Sequence, residues 1–499
     1  MNDEPPTAAL RLSLVEEIDF HHEEDSVTLS SARGEAGYPH LSPGMVEAFR
    51  RVADGTCERA GLNGIVLERD DLGRLSQFNH LLDQWIGRCF VEFTLWSGER
   101  RLLGFRLTVP VPGFRLAELP AGAGCVLSRF AFGRSDDGAL VFESPLSRSR
   151  LTVHEPGLAS LVALLVHPRS LADVVEHGPF PDDVAEHALR LLLSSGVAVL
   201  CPSGSAAETD PPLVMWDFHD LLFHTRSRVG RHDRPVGATF RFAGSLPALP
   251  LEAAPPDGPS VPLPTTAARA RNAEDAALGT LMDARRSVRD QGEDPLTLPQ
   301  LGEFLFRVAR LKATARQEVR DPAGTLVESF EIASKPYPSG GGLYELELYP
   351  VISRCRGIDP GVYHYDSRRH RLVRRAGEGA GLERILDDAA NSAGTTSRPQ
   401  VLVVVSARFG RLGWKYESIA YAAMLKNVGS LYQTMYLVAT AMGLAPCALG
   451  SGNSELFARL AGLHYESETS VGEFMLGSLP STTPEAPPYI IDLRPNPIG

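Results

Sequence analysis

The sequence predicts an α+β protein: small mixed modules first, then a larger domain in which a sheet is flanked by helices. Three observations carry this. Short alternating strand segments and amphipathic helix segments succeed one another through both halves of the chain. The stretch LPALPLEAAPPDGPSVPLP, Leu246 to Pro264, holds seven prolines and no long apolar period, so it reads as an extended linker. VLVVVSA, Val401–Ala407, is the continuous apolar run of a strand covered on both faces. The expected layout is a winged-helix-like module over 1–120, a second over 121–245, a proline-rich linker over 246–270 and the large domain over 271–499.

In the first module, Val15–Phe20 and Ser26–Ser30 read as short strands around the polar turn HHEED. LSPGMVEAFRRVADG reads as a helix with Ser42 as N-cap, Pro43 in the first turn and Gly55 at the stop. A second helix is expected near Leu75–Ile86, then a hairpin in FVEFTLWSGERRLLGFRLTV turning at Ser97-Gly98. The second module opens with the hairpin VLSRFAFGRSDDGALVFES, turning at Asp137-Gly138. Helices follow at Leu158–Val166, Ser170–His177 and Asp182–Ser194, and a strand at Val197–Leu200 closes it. In the large domain, helices are expected at Asp275–Ala284, Leu298–Val308, Leu382–Ala390 and from about Ala420 to Met442. Strands are expected at Leu343–Val351, Gly361–Asp366, Val401–Ala407 and Glu473–Ser478.

Composition narrows the function classes. The 499 residues correspond to about three domains. Hydrophobic residues at 43% and charged residues at 22% exclude a mostly disordered, collagen-like or coiled-coil chain. Lys plus Arg is 49 against 61 for Asp plus Glu, a net charge of -12, which argues against a dedicated nucleic-acid binder. Six cysteines (Cys57, Cys89, Cys125, Cys201, Cys355 and Cys447) include no CxxC pair, as expected for free thiols in a reducing cytoplasm. The opening MNDEPPTAAL lacks the basic flank and apolar run of a signal peptide. Asn427 to Ser454 carries no charge, yet its glycines, Gln433 and Pro446 make it a buried helix and turn rather than a membrane span. His21-His22-Glu23-Glu24 is not HExxH, and no metal site is expected.

Four segments have residues suited to chemistry. Arg285-Arg286-Ser287-Val288-Arg289 places three guanidiniums and a hydroxyl close together, suited to a phosphate; taken alone, the run is more often a solvated helix end. Lys335–Tyr344, KPYPSGGGLY, has three glycines after Ser339, letting backbone approach a flat or anionic ligand; it is neither a Walker loop nor GxGxxG. Lys415-Tyr416 opens the long helix. A solvated lysine is neutral in roughly one molecule in a few thousand at pH 7, so this pair needs burial to act on protons; a snorkelling Lys beside a packed Tyr is the alternative. Ala445–Asn453, APCALGSGN, is a small-residue turn that a ligand can approach, or a helix C-cap, with Cys447 a buried small residue rather than a nucleophile.

In this order the motifs resemble the SagB-type dehydrogenases of the nitroreductase superfamily, which include the thiazoline and oxazoline oxidases of ribosomal peptide biosynthesis. RRSVR, PYPSGGGLYELELYPV, GVYHYD, KYESIAYAAMLKNVGSLYQTMYLVATAMGLAPCALG and EFMLGSLP carry the likeness, with WDFHDLLFHTRSRVGRHDRPVGATFRF upstream; it runs from about Leu213 to Pro480. The resemblance implies a nitroreductase-like domain that binds FMN at the interface of a homodimer. Arg285, Arg286, Ser287 and Arg289, then Ser339, Gly340 and Gly341, then Leu449, Gly450 and Ser451 fall on the family's flavin-binding segments, and Lys415 and Tyr416 on its catalytic pair. The chain departs from the pattern after Pro480, where no cation follows until Arg494, leaving the phosphate to Arg285 and Arg286.

The activity this implies is oxidation of an azoline ring to an azole in a precursor peptide. Lys415 or Tyr416 would take the ring Cα proton, and a hydride would pass to flavin N5. The winged-helix-like modules resemble leader-peptide recognition elements, with a cyclodehydratase as a further partner and no nucleic acid or membrane. The same motifs also fit a general NAD(P)H-dependent nitro or quinone reductase, a thiazoline oxidase acting on a carrier protein, or a non-catalytic leader-binding scaffold.

Overall fold

The fold comes from a computed structural model that describes residues 7–31, 34–201, 208–253, 258–264 and 275–481. The chain divides into two compact units, Met1–Arg234 and Pro235–Gly499.

In the first unit, β1 (Ala8–Leu14) is followed by β2 (Asp19–His22), β3 (Val27–Ser31), β4 (Gly34–Tyr38), α1 (Pro43–Ala53), β5 (Cys57–Glu58), α2 (Arg59–Arg69) and α3 (Leu72–Gly87). Then come β6 (Val91–Ser97), β7 (Arg100–Leu107), β8 (Gly124–Leu127), β9 (Phe132–Asp136), β10 (Ala139–Glu143) and β11 (Ser149–Val153). The unit closes with α4 (Ala159–Leu164), α5 (Leu171–His177), α6 (Asp182–Ser194), β12 (Ala198–Cys201), α7 (Pro211–Val214) and α8 (Phe218–Arg226). One seven-stranded sheet, ordered β5-β1-β6-β7-β11-β10-β9, runs across residue 120, and a single apolar core lies against it. Separately, β2, β3 and β4 form a three-stranded sheet.

The Asp137-Gly138 turn is as expected: both residues have positive φ (49° and 77°), the hairpin geometry whose twist matches the flanking strands. Ser42 does precede α1, but its hydroxyl donates to Asp70 Oδ2 at 2.5 Å instead of capping the helix. The strand expected at Val15–Phe20 is corrected. Val15–Ile18 is a turn, because β1 pairs along its whole length with β6 and so ends at Leu14.

The second unit begins with β13 (Gly237–Ala238), β14 (Ser260–Pro262), α9 (Leu278–Ala284), α10 (Leu298–Ala309), the hairpin β15 (Ala313–Arg320) and β16 (Leu326–Ser334), then β17 (Leu346–Ile352), β18 (Gly361–Asp366) and β19 (Arg371–Ala376). It continues with α11 (Ala380–Ala393), β20 (Val401–Arg408), α12 (Phe409–Gly413), β21 (Tyr416–Glu417), α13 (Ala420–Ala441), β22 (Leu444–Ala448), α14 (Ser454–Ala461) and β23 (Glu468–Ser478). An antiparallel sheet ordered β14-β19-β18-β17-β20-β23-β22 forms its middle layer. Helices α10 and α13 pack on one face, α11 and α14 on the other, so β20 is buried throughout, as its apolar run requires.

Three expectations shift here. The strand expected from Leu343 starts at Leu346, because Gly340–Gly342 forms a 3-10 turn first. The helix expected from Asp275 starts at Leu278, and the strand expected from Glu473 starts at Glu468. Part of the proline-rich stretch packs on this unit. The carbonyls of Leu246, Leu249 and Leu251 accept from Trp414, Arg411 and Arg408, and β14 joins the sheet through β19.

Candidate active site

Lys415 and Tyr416 lie on the link between α12 and α13. There β21 pairs with β13, and Phe240 N–H donates to the Lys415 carbonyl at 3.1 Å. This pinned backbone turns the lysine side chain inward. Its Nζ lies 5.4 Å from the ring centroids of Phe240 and Phe330 and 5.6 Å from that of Tyr416, and donates to Gln317 Oε1 at 3.4 Å. Ring faces attract an ammonium, but burial strips its water and pulls the lysine pKa below its ordinary value. Tyr416 moves the other way: burial first, and the Glu345 charge second, push its phenol pKa up. The pair therefore divides into an amine closer to neutrality and a phenol that keeps its proton.

The glycine loop closes on this pair. Gly341 has φ +63°, and a Cβ built on it would stand 2.6 Å from Tyr416 Oη and 2.9 Å from Lys415 Nζ. Only glycine fits there without displacing them. A buried network holds the loop. Ser339 Oγ donates to Glu345 Oε2 at 3.1 Å and accepts from Tyr344 N–H at 3.1 Å. Asn427 Nδ2 donates to Glu345 Oε1 at 2.8 Å, and its Oδ1 accepts from Gly340 N–H at 3.1 Å. Burial pushes the Glu345 carboxyl pKa up.

The arginine motif builds a second cluster. Val288 N–H donates to the Pro446 carbonyl at 2.8 Å, setting RRSVR beside β22. Ser287 Oγ and Tyr436 Oη bond at 2.8 Å, Tyr436 Oη accepts from Ala448 N–H at 2.8 Å, and the Arg285 guanidinium lies 5.3 Å from the Tyr436 ring centroid. Arg286 is exposed. Leu449 N–H donates to the Glu473 carbonyl at 2.9 Å; Gly450 and Ser451 are exposed, with Ser451 Oγ 3.2 Å from Ser392 Oγ. Burial raises the Cys447 thiol pKa despite Arg289, which makes it a poor nucleophile. Arg289 also lines a cavity of about 420 Å³ with Arg354 and Arg398.

The structure thus joins Lys415, Tyr416, Ser339, Gly340 and Gly341 in one cluster, and Arg285, Ser287 and Arg289 with the Leu449 turn in another. They meet α13 nine residues apart, the first at Asn427 and the second at Tyr436, about 14 Å at roughly 1.5 Å per residue. Sequence reasoning missed Gln317, Phe330, Glu345, Asn427 and Tyr436. Glu345 had one signal, an acid that with Glu347 interrupts an otherwise apolar strand approach; Asn427 and Tyr436 had only their place in a helix with a single charge, Lys426.

The donor set suits FMN. Guanidiniums and a hydroxyl suit its phosphate, and a glycine backbone beside a titratable pair suits a flat ring. α9 has no buried residue and exposes Leu278 and Met282, while α13 exposes Tyr421 and Leu425.

Two family profiles match the chain: "Nitroreductase family" over residues 282–478, and "Cyanobactin oxidase ThcOx" over residues 125–233. MJ1384 of Methanocaldococcus jannaschii, named as a nitroreductase, is 30% identical over 178 residues, covering 36% of this chain and 80% of that protein. The trifolitoxin-processing protein TfxB of Rhizobium leguminosarum bv. trifolii is 25% identical over 311 residues, covering 56% of this chain and 76% of TfxB. Among solved structures, a protein of Ralstonia eutropha named as a nitroreductase is 20% identical with a TM-score of 0.33, covering 48% of this chain and 100% of its own. A chain of the E. coli microcin synthetase McbBCD complex is 19% identical with a TM-score of 0.32, covering 56% of this chain and 99% of its own.

Proposed function

This chain belongs to the nitroreductase family, and we propose that it is an FMN-dependent dehydrogenase converting thiazoline or oxazoline rings to azoles in a ribosomally made precursor peptide. One observation carries the reading: Lys415 Nζ and Tyr416 Oη meet over the backbone of Gly341, in a pocket that draws the amine toward neutrality. A general reductase has no need of a desolvated amine beside a protonated phenol; removal of a carbon-bound proton does. The matches to a cyanobactin oxidase profile and to a trifolitoxin-processing protein support a peptide substrate.

Lys415 Nζ takes the ring Cα proton. Tyr416 keeps its own proton and orients the ring by donating a hydrogen bond. Bound FMN supplies the two-electron acceptor for the accompanying hydride. Arg285, Arg286 and Ser287 would hold its phosphate, Arg289 would stabilise negative charge on the reduced ring, and Ser339–Gly341 and Leu449–Ser451 would supply the backbone against which the flavin binds. In the homodimer we propose, the arginine cluster of one protomer works with the lysine cluster of the next. The apolar side chains exposed on α9 and α13 suit that homodimer. The first unit takes the leader peptide by strand addition, with the outer edge of β4 as its template.

An absorption spectrum with mass identification of the released chromophore is the first test, followed by a synthetic thiazoline peptide. Released FMN and product lighter by two hydrogens support the reading. NAD(P)H turnover on nitroaromatics with no azoline oxidation replaces it with a general reductase, and failure to bind FMN leaves a scaffold.

A further inference from the structure

We propose that the outer edge of β15 is the docking strand for the ring-bearing segment of the peptide, which adds to the β15–β16 hairpin as a third strand beside Lys415. This rests on the azoline-oxidase reading above. β15 pairs only with β16, and among the described residues no other backbone group bonds to it. All of its residues except Val319 are exposed. β16, by contrast, is anchored. Phe330 is buried with its ring centroid 5.4 Å from that of Trp414, and Arg411 Nη2 donates to the Glu331 carbonyl at 2.9 Å. The hairpin is therefore fixed along one strand and open along the other. A two-stranded ribbon is marginal in water, a third strand strengthens it, and unpaired edge groups are a template for one.

The edge leads to the site. Gln317, at the middle of β15, lies opposite Phe330 in the register, and both touch the Lys415 amine. A strand paired there presents its central residue near Lys415, with flanking residues running both ways. Eight residues at about 3.4 Å each give an edge of about 27 Å. The bulge between Val319 and Arg320 ends its regular part. The charged side chains do not bar the way: Arg320 pairs with Glu318, and Arg316 donates to Ser329 Oγ at 2.8 Å. Main-chain pairing reads no particular side chain, so one edge serves successive rings of the same peptide.

The test uses the FMN-loaded full chain and three probes: a synthetic ten-residue Gly/Ser peptide with one central thiazoline, the same peptide N-methylated at its flanking amides, and N-acetyl-thiazoline methylamide without flanks. Amide hydrogen exchange and kcat/KM are measured for each. The expected result is exchange at residues 313–319 slowed about tenfold or more by the plain peptide alone, with kcat/KM falling at least about tenfold on N-methylation or loss of the flanks. Oxidation of the plain peptide without protection of 313–319, or equal kcat/KM for the N-methylated peptide, overturns the edge while the oxidase reading stands. Protection that appears without peptide and grows with protein concentration assigns the edge to a second copy and overturns the proposal. Oxidation of none of the three overturns both.

Discussion

Replacing Gly341 with alanine tests the site where its geometry is tightest. The new methyl would begin 2.6 Å from Tyr416 Oη and 2.9 Å from Lys415 Nζ, so the phenol must withdraw by about 0.8 Å to reach ordinary contact near 3.4 Å. Misplacing reacting groups by about 1 Å costs about a hundredfold in rate, close to 2.7 kcal/mol at about 1.36 kcal/mol per tenfold. The left-handed backbone adds about 1–2 kcal/mol to the cost in fold stability. Gly342→Ala separates the two effects. Its φ is +69°, yet the atoms nearest its methyl are the Ala333 carbonyl and Ile332 Cβ, both at 3.4 Å, and Ala333 N at 3.9 Å, not Lys415 or Tyr416. Thermal melts should show similar losses for both variants, while single-turnover oxidation of a thiazoline peptide by FMN-loaded protein drops about a hundredfold in Gly341→Ala only. Equal rates in the two variants at matched FMN occupancy would refute the claim that this contact forms the reaction centre.

Further outcomes follow from the same contacts. Lys415→Arg keeps bound FMN but stays cationic, and turnover falls by about 10² to 10⁴; in the wild type, kcat rises with pH along a limb whose midpoint lies below the ordinary lysine value near 10.4, read from a pH–rate profile. Because the folded pKa is the lower one, the unfolded chain holds more protons between the two values, so this group's contribution to stability grows as pH rises through that window, which pH-dependent denaturant melts check. Glu345→Ala removes the acceptor of the Ser339 hydroxyl and leaves the Asn427 amide only its 3.3 Å bond to Ser339 Oγ, and costs about 1–3 kcal/mol in denaturant melts, partly restored in Glu345→Gln. Tyr436→Phe removes bonds to Ser287 and to Ala448 N–H, and weakens FMN retention by about tenfold, read from the fluorescence of released flavin; the Lys415 pH limb stays in place.

Elements with strong periodicity or turn chemistry could be read from the residues. β20 was visible as an apolar run because the sheet is covered on both faces, and the Asp137-Gly138 turn because few pairs favour positive φ twice. β15 was not visible. ATARQEVR has neither an apolar alternation nor a turn signal within it, since one strand of an exposed hairpin need bury nothing. The boundary at residue 120 hid the seven-stranded sheet for a different reason: pairing between β7 and β11 spans more than forty residues, and no local pattern records it.

For the site, local motifs named the right chemistry but not its grouping. RRSVR, SGGG, Lys-Tyr and the Leu449 turn are four separate segments in the chain, and nothing in their spacing says which meet. The fold sorts them by the two ends of α13, with Asn427 tying its early turns to the glycine loop and Tyr436 tying its late turns to the arginine motif. That helix carries a single charge, Lys426, so it gives little local cue beyond apolarity. It holds the glycine loop and the arginine motif at points nine residues apart along its length. In the proposed dimer FMN draws on the two clusters from two chains, which would couple dimer formation to cofactor binding: diluting the protein should release FMN along with monomer, and an FMN-saturated protein that stays monomeric would refute that dimer.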